Sequence, residues 1–262
     1  MLKKWLLPLA CLGLVIISML PPYTDVPYDP RNTQEVIGSI LRISIQPYQG
    51  WGWLFHLATL LLVLFILWQP AKAGRALAGY IGVNYLIIAA FQTHAITEEF
   101  GFALQTGALI GILAVGIMWL VVAIQNSLQL SLHHISKWKY LLLPFAFLTF
   151  WSPVKVEGLS VFANFDPRLL LTSADYGLAY CFVTPIFLLL LILFSTNHTS
   201  FTYRITAFNA LVYGLFNLTH WFNPNTLWMG VMHLPLLILA IVAFLLPYAE
   251  RRHMQKPAFA RS

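Results

Sequence analysis

The chain has 262 residues, of which 59% are hydrophobic and only 9% are charged, and its net charge is +6. A soluble domain carries about 25% charged residues, so this composition excludes an ordinary soluble globular protein. Apolar stretches of about 17–25 residues recur along the chain, and each is long enough to cross the hydrocarbon core of a bilayer. We therefore predict a multi-pass, all-α protein of the cell membrane whose first partner is the lipid bilayer. Membrane topology explains the positive charge, so no nucleic-acid partner is predicted.

Hydropathy predicts eight membrane-spanning helices. Their predicted ranges are 4–21, 51–69, 76–97, 102–124, 138–152, 177–195, 205–222 and 226–248. The first range lacks a small-x-small cleavage pattern, which favours an uncleaved span over a signal peptide. The fifth is short and contains Pro144. It is retained because without it the basic tail, 251–262, would lie outside the cell.

The charges of the connecting segments orient these spans. Eleven lysines and arginines fall on one side of the predicted membrane and four on the other, and the second side carries eight of the nine acidic residues. The positive-inside rule therefore predicts that both termini are cytoplasmic.

Two long connections are predicted on the outer side, 22–50 and 153–176. In the first, apolar residues from Val36 to Ile43 fall on one face of a predicted helix, with Glu35 and Arg42 on the other. This pattern is typical of a helix that lies in the membrane interface. It fits equally well a lid that packs over the bundle.

The two halves of the chain resemble each other. The stretch WGWLFHLAT from Trp51 aligns with YGLAYCFVT from Tyr176, and in that register Asn84 falls on Asn209. Repeats of this kind point to duplication. We predict two parallel four-helix tandem repeats, 1–124 and 137–250, joined by a cytoplasmic linker, 125–136. Because each unit has an even number of spans, the two should be related by a pseudo-two-fold axis along the membrane normal.

Each half also contains an aromatic residue followed by Asp-Pro-Arg, ending at Arg31 and at Arg168. Asp29 and Asp166 suit the N-cap of a helix, with proline at its first position. The two arginines could instead form a symmetric pair that meets an anionic substrate. The sequence leaves both interpretations open.

Polar residues inside the spans are candidates for a solute path. Asn84 and Asn209 lie near the middle of their spans, where a polar side chain is costly unless it is paired. Hydrogen bonding between helices is the alternative to lining a path. In the seventh span a polar stripe is predicted from these residues: Thr206, Asn209, Tyr213, Asn217 and His220.

Four histidines lie in the outer half of the predicted spans, namely His56, His94, His220 and His233. On a helix, Asn84, His94 and Glu98 would share one face. His94, Glu98 and His220, with His56 and His233 near them, could ligate a divalent metal. His94 and His220 could alternatively be the axial pair of a haem. No H-x-x-H or H-E-x-x-H spacing is present, and packing or interfacial anchoring is the competing interpretation.

Three functions follow as hypotheses. The first is passage of a small solute or metal ion along the pseudo-axis, past a histidine layer near the outer face. The second is a membrane-embedded haem or metal site. The third is a non-catalytic subunit that contacts protein partners through its helices and outer loops. No nucleophile motif is present, which argues against an enzyme, and no charge lies mid-span, which argues against a gradient-driven carrier.

Overall fold

The computed structural model describes residues 2–133, 135–157 and 160–255, and it is mostly helical. Within these residues the α-helices are α1 (Leu2–Ser18), α2 (Thr33–Ser44), α3 (Gly52–Trp68), α4 (Pro70–Phe91), α5 (Thr106–Ile124), α6 (Leu143–Trp151), α7 (Leu169–Thr172), α8 (Asp175–Leu178), α9 (Tyr180–Phe194), α10 (Phe201–Phe216) and α11 (Leu227–Gln255). The strands are β1 (Tyr23–Thr24), β2 (His94–Thr97), β3 (Gly101–Leu104), β4 (Val154–Glu157) and β5 (Ser160–Ala163). Of the predicted basic tail, 256–262 lies outside the described residues.

Four helical segments in the described part of the chain are long and apolar enough to cross a membrane. They are Gln46–Trp68, Pro70–Phe91, Thr106–Ile124 and Leu227–Glu250. These correspond to the second, third, fourth and eighth predicted spans. Length and apolar composition therefore identify a membrane protein.

The other four predicted spans form shorter or interrupted helices. The apolar part of α1 is Trp5–Ser18, and α6 has nine residues that follow a 3-10 helix, Lys137–Leu142. Helix α10 has 16 residues and continues as a 3-10 helix, Asn217–Phe222. Helix α9 is preceded by Leu169–Leu178, and the two segments meet at an angle of 97°.

The bundle has two chemically different ends. What we call the acidic end carries the connections between α1 and α3, α4 and α5, α6 and α9, and α10 and α11, and with them eight acidic residues. The basic end carries the connections between α3 and α4, α5 and α6, and α9 and α10, together with the C-terminal end of α11.

Helix α9 lies in the middle of the bundle and is buried on all sides, from Phe182 to Phe194. It contacts α4, α6, α8, α10 and α11. A helix that is apolar on every face suits such a central position. At the basic end two basic side chains reach carbonyl groups of its last turn, of which Leu191 O also accepts from the Ser195 N–H. Lys139 Nζ donates to Ile192 O at 2.7 Å, and His198 Nε2 lies 3.2 Å from Leu191 O.

A glycine permits the sharp break before α9. Gly177 has φ of +100°, and a Cβ atom built on it would lie 2.1 Å from Phe55 Cγ of α3. Only glycine fits both this backbone conformation and this close approach. Asn84 Nδ2 of α4 donates to the Gly177 carbonyl at 2.9 Å, which satisfies a backbone group that the break exposes.

The acidic end carries a small sheet, which corrects one prediction. Helix α4 ends at Phe91, so the predicted span 76–97 is too long, and the predicted helical face of Asn84, His94 and Glu98 is wrong. His94–Thr97 instead forms strand β2, which pairs antiparallel with β3, and β3 pairs with β1. Pairing with distant strands outweighs continuation of the helix here. Glu98 lies exposed in the tight turn between β2 and β3.

Helix α2 packs on this sheet. Val36 and Ile40 are fully buried in a cluster with Ala95, Phe100 and Ala103. Protein therefore covers the apolar face of the amphipathic helix.

Helix contacts within the two halves of the chain correspond in part, since α9 also contacts α6 and α11 whereas, among the described residues, α3 has no comparable contact with α1 or α5. In the first half, α4 contacts α3 and α5, and α1 contacts α5. In the second half, α10 contacts α9 and α11, and α6 contacts α11. The halves meet where α10 contacts α1 and α5, and where α4 contacts α9.

Candidate functional site

Helix α10 presents one polar face along its whole length. From the basic end to the acidic end this face carries Tyr203, Thr206, Asn209, Tyr213 and Asn217. The spacing of three or four residues keeps them on one side of the helix. The stripe predicted from Thr206 onward thus begins one turn earlier, at Tyr203. It faces α5 and the start of α9.

A cavity of about 390 Å³ adjoins this face at the acidic end. Helix α2, the end of α1 and the ends of α4, α5 and α9 form its other walls. Its polar lining includes Gln92, Gln105, Tyr213, Asn217 and His220. Helix α2 covers the cavity like a lid, which explains why an amphipathic helix lies here. Three of the predicted site residues, Tyr213, Asn217 and His220, are thereby brought together.

A second cavity of about 220 Å³ adjoins the same face of α10 at the basic end. Its lining includes Trp119 of α5, Ser200, Thr202 and Tyr203. Tyr203 and Tyr213 are ten residues apart, so the two cavities are separated by about 15 Å along α10. No Lys, Arg, Asp or Glu is among the described residues that line either cavity.

Between the cavities, aromatic side chains and hydrogen bonds close the polar face. Asn209 Nδ2 donates to the Tyr180 hydroxyl at 2.9 Å, and Trp119 Nε1 donates to Thr206 Oγ1 at 2.8 Å. The Tyr180 ring contacts those of Tyr213 and Tyr85, with centroids 5.0 and 5.5 Å apart. These contacts therefore occlude the polar face of α10 between the two cavities.

Several polar atoms along this face are buried without a hydrogen-bond partner. They include Asn209 Oδ1, the hydroxyls of Tyr213 and Tyr203, and Gln105 Nε2. Buried polar atoms are normally satisfied, so a row of unsatisfied ones marks a place where another molecule can bind. Gly111 leaves room beside them, because its Cβ would lie 3.5 Å from Asn209 Oδ1 and 3.6 Å from the Tyr213 hydroxyl.

Asn84 is the other asparagine that was predicted to line the solute path. It lines neither cavity. Its Nδ2 holds the Gly177 carbonyl, as described above, and its Oδ1 is buried without a partner. Asn209 also lines neither cavity, but its Oδ1 lies beside Gly111 in the closed stretch between them.

Both ring nitrogens of His56 lie close to backbone carbonyl oxygens. Nδ1 lies 2.9 Å from Gly52 O in its own helix, and Nε2 lies 2.9 Å from Phe150 O in α6. Neither nitrogen points toward open space, so His56 joins α3 to α6.

His220 and His233 form a stacked pair at the acidic end, with ring centroids 5.4 Å apart and planes inclined by 25°. The carbonyl of Met229 can only accept, so His233 Nδ1 donates to it, at 2.7 Å. His220 lines the larger cavity, and His233 also contacts Phe182.

The remaining members of the predicted metal site lie apart. His94 is in strand β2 and its ring contacts Phe102, while Glu98 is exposed in the following turn. Within the described residues, no three His, Cys, Asp or Glu side chains lie together in a way that could hold a metal ion. The predicted divalent-metal ligand set is therefore not brought together in the described residues, and the axial His94–His220 pair for haem stays a prediction.

The two Asp-Pro-Arg segments adopt the same local structure. The backbone N–H of Arg31 donates to Asp29 Oδ1, and that of Arg168 to Asp166 Oδ1, each at 2.9 Å. The predicted capping role is confirmed for Asp29, the N-cap of the 3-10 helix Pro30–Asn32, whereas the N-cap of α7 is Arg168 and Asp166 stabilises the turn before it. Each guanidinium also binds its own aspartate at 2.6 Å, which holds the pKa of that carboxyl below its usual range. Neither arginine lines the cavities along α10.

Sequence reasoning missed several residues of the site. Gln92, Gln105 and Tyr180 lie at helix ends, where polar and aromatic residues usually mark the membrane interface. Trp119 looked like an ordinary apolar residue of the fourth span. A search for further polar residues one turn beyond the stripe would have found Tyr203.

Comparison of the chain with protein-family models, with curated proteins and with solved structures finds no match. The functional argument therefore depends on the geometry described above.

Proposed function

We propose that this protein passes a small, uncharged, hydrogen-bonding solute across the membrane along the polar face of α10. The observation that carries the proposal is the pair of cavities at opposite ends of one polar helix face, with unsatisfied hydrogen-bonding atoms in and between them. The occluded middle is then a gate, made by Trp119, Tyr180 and Asn209.

The lining chemistry supports an uncharged solute. An ion that leaves water in a bilayer needs a compensating charge or many ligands. The described lining of both cavities contains only neutral amides, hydroxyls, a thiol, His220 and apolar groups. Passage of a metal ion therefore has less support than passage of a neutral solute such as a polyol or an amide.

The proposed topology has eight spans, with the acidic end outside and both termini cytoplasmic. The distribution of basic residues supports this orientation. The partly matching helix contacts in the two halves and the identical Asp-Pro-Arg turns support a tandem duplication. In this arrangement the His220–His233 pair lies beside the outer mouth of the path.

Glycerol permeability of proteoliposomes, followed by stopped-flow light scattering, tests the proposal. Wild-type protein should raise permeability above that of protein-free liposomes. Asn209→Leu should reduce this increment at least about tenfold, because the solute loses a buried acceptor worth about 1.4 kcal/mol and the gap beside Gly111 is filled.

Asn84→Leu is the matched control, since it removes the same buried group at a position that does not adjoin the gap beside Gly111. It should retain the wild-type increment per folded molecule. The proposal fails if neither glycerol nor urea crosses faster than through protein-free liposomes, a result that would favour a subunit role. Equal loss in both variants would contradict a path along α10.

A further inference from the structure

A third cavity, of about 410 Å³, lies at the acidic end and is separate from the path along α10. It opens between the end of α2, the hairpin β4–β5 and the segment from Asp166 to Asp175. Both long outer connections therefore contribute to it. Its volume lies within the usual range for small-molecule sites.

Some of the charged side chains that line this cavity have an ion-pair partner, and others do not. Arg168 is paired with Asp166, and Lys155 is paired with Glu157. Among the described residues, Arg42 and Asp175 have no ion-pair partner. One guanidinium and one carboxyl without an ion-pair partner thus line the same cavity.

Two further atoms point to an absent ligand. Arg42 donates from one terminal nitrogen to Ser39 Oγ at 3.1 Å, but its Nε is buried without an acceptor. Ser173 is only 3% exposed, and its Oγ is also buried without a partner. Since buried guanidinium and hydroxyl groups normally find partners, each is a site where a ligand oxygen can bind.

From these observations we infer that the cavity binds a zwitterion that has an anionic phosphate at one end and a primary ammonium at the other. Arg42 and Ser173 bind the phosphate, and Asp175 binds the ammonium. Guanidinium groups suit phosphate oxygens, and a primary ammonium offers three donors to a carboxylate.

The depth of the cavity favours phosphate as the anion. Trp51 and Trp53 at the adjoining start of α3 are both about half exposed, at 54% and 51%. Exposed tryptophans of a membrane protein concentrate at the level of the lipid headgroups. The phosphoethanolamine group of a lipid lies at that level, and free phosphoethanolamine has the same chemistry.

Isothermal titration calorimetry of the purified full chain in a nonionic detergent tests this inference. The probes are dihexanoyl phosphatidylethanolamine, phosphatidylcholine and phosphatidylglycerol, together with soluble O-phosphoethanolamine. The ethanolamine lipid should bind at least about tenfold more tightly than the other two lipids, because only its headgroup offers a charged N–H donor to Asp175; choline has no N–H, and the glycerol headgroup has only neutral hydroxyls. If soluble O-phosphoethanolamine binds as tightly as the lipid, a free zwitterion is the ligand; if it binds weakly, the lipid headgroup is.

Single substitutions test the phosphate end and the ammonium end of the site separately. Asp175→Asn should abolish the preference for ethanolamine over choline, while Arg42→Gln should weaken binding of all three lipids about tenfold. Ser173→Ala should lower affinity about fivefold and offers a second test if Asp175→Asn does not fold. Arg31→Gln, in the same outer connection but exposed, is the control and should bind as wild type does.

Three results would overturn the inference. They are the absence of binding by any probe, equal binding of the three lipids, and retention of the ethanolamine preference by Asp175→Asn. Glycerol permeability of Asp175→Asn should match wild type, so a failure here is distinguishable from a failure of the proposed transport.

Discussion

Helices α4 and α10 have aligned sequences, and each carries a fully buried asparagine near its middle. In α4, the Asn84 amide holds the carbonyl of Gly177 at the break before α9. In α10, the Asn209 amide binds a tyrosine hydroxyl beside the space that Gly111 leaves. Asparagines at aligned positions of the two helices therefore bind different groups.

The difference teaches that surroundings decide what a buried polar group does. Both asparagines leave one oxygen unpartnered, so hydrogen-bond counting alone does not distinguish them. What distinguishes them is their surroundings: Asn209 Oδ1 lies beside Gly111, whereas the Asn84 amide is used at the break before α9. We interpret the first half of the chain as the scaffold and α10 of the second half as the functional face.

The largest expected effect is on stability and comes from a substitution at Gly177, at the break before α9. Gly177→Ala forces a Cβ into the ring of Phe55 and imposes a positive φ on a non-glycine residue. We expect a loss of at least about 3 kcal/mol in the free energy of unfolding. Thermal unfolding in detergent measures it.

The control for this variant is Gly13→Ala, because nothing lies within 4 Å of a Cβ at Gly13. It should leave the melting temperature unchanged or slightly raised. Equal stability of the two alanine variants would show that the break before α9 adapts, which contradicts the scaffold interpretation.

A smaller effect should separate the two asparagines by stability. Asn84→Leu leaves the buried Gly177 carbonyl without its donor and should cost about 1–3 kcal/mol. Asn209→Leu leaves a tyrosine hydroxyl that can still donate elsewhere, so its cost should be less than about 1 kcal/mol. Chemical denaturation of the two variants side by side checks the order, and a reversed order would contradict the assigned roles.

The smallest expected effect is at the gate. Trp119→Phe removes the hydrogen bond to Thr206. The free energy of interaction between α5 and α10 then falls by about 0.6 kcal/mol. Glycerol permeability should then rise about threefold. Trp68→Phe, at a residue that is 77% exposed, should have no effect. A decrease for Trp119→Phe would mean that the indole supports the open path rather than closing it.

Sequence reasoning predicted those parts of the molecule that depend on local composition. The spans that contain α3, α4, α5 and α11 follow from hydropathy, and the polar stripe of α10 follows from spacing. The capping by Asp29 follows from Asp-Pro chemistry. Each of these depends on residues close together in the chain.

The parts it missed depend on distant contacts. His94 lies in a strand because β3 pairs with it, with β1 on the other side of β3, and no helical pattern indicates that partner. The nitrogens of His56 are occupied partly by Phe150 O, a backbone atom 94 residues away. Side-chain chemistry alone made both histidines look like metal ligands.

The complete burial of α9 has a consequence for biogenesis. In the proposed topology, a helix this apolar enters the bilayer and is surrounded by lipid before its neighbours associate with it. Its final neighbours include α10 and α11, which leave the ribosome later. Lipid must therefore leave the surface of α9 as the C-terminal helices arrive. A chain that stops before Leu227 would then remain inserted in the membrane, with an apolar helix surface open to any other helix that diffuses past.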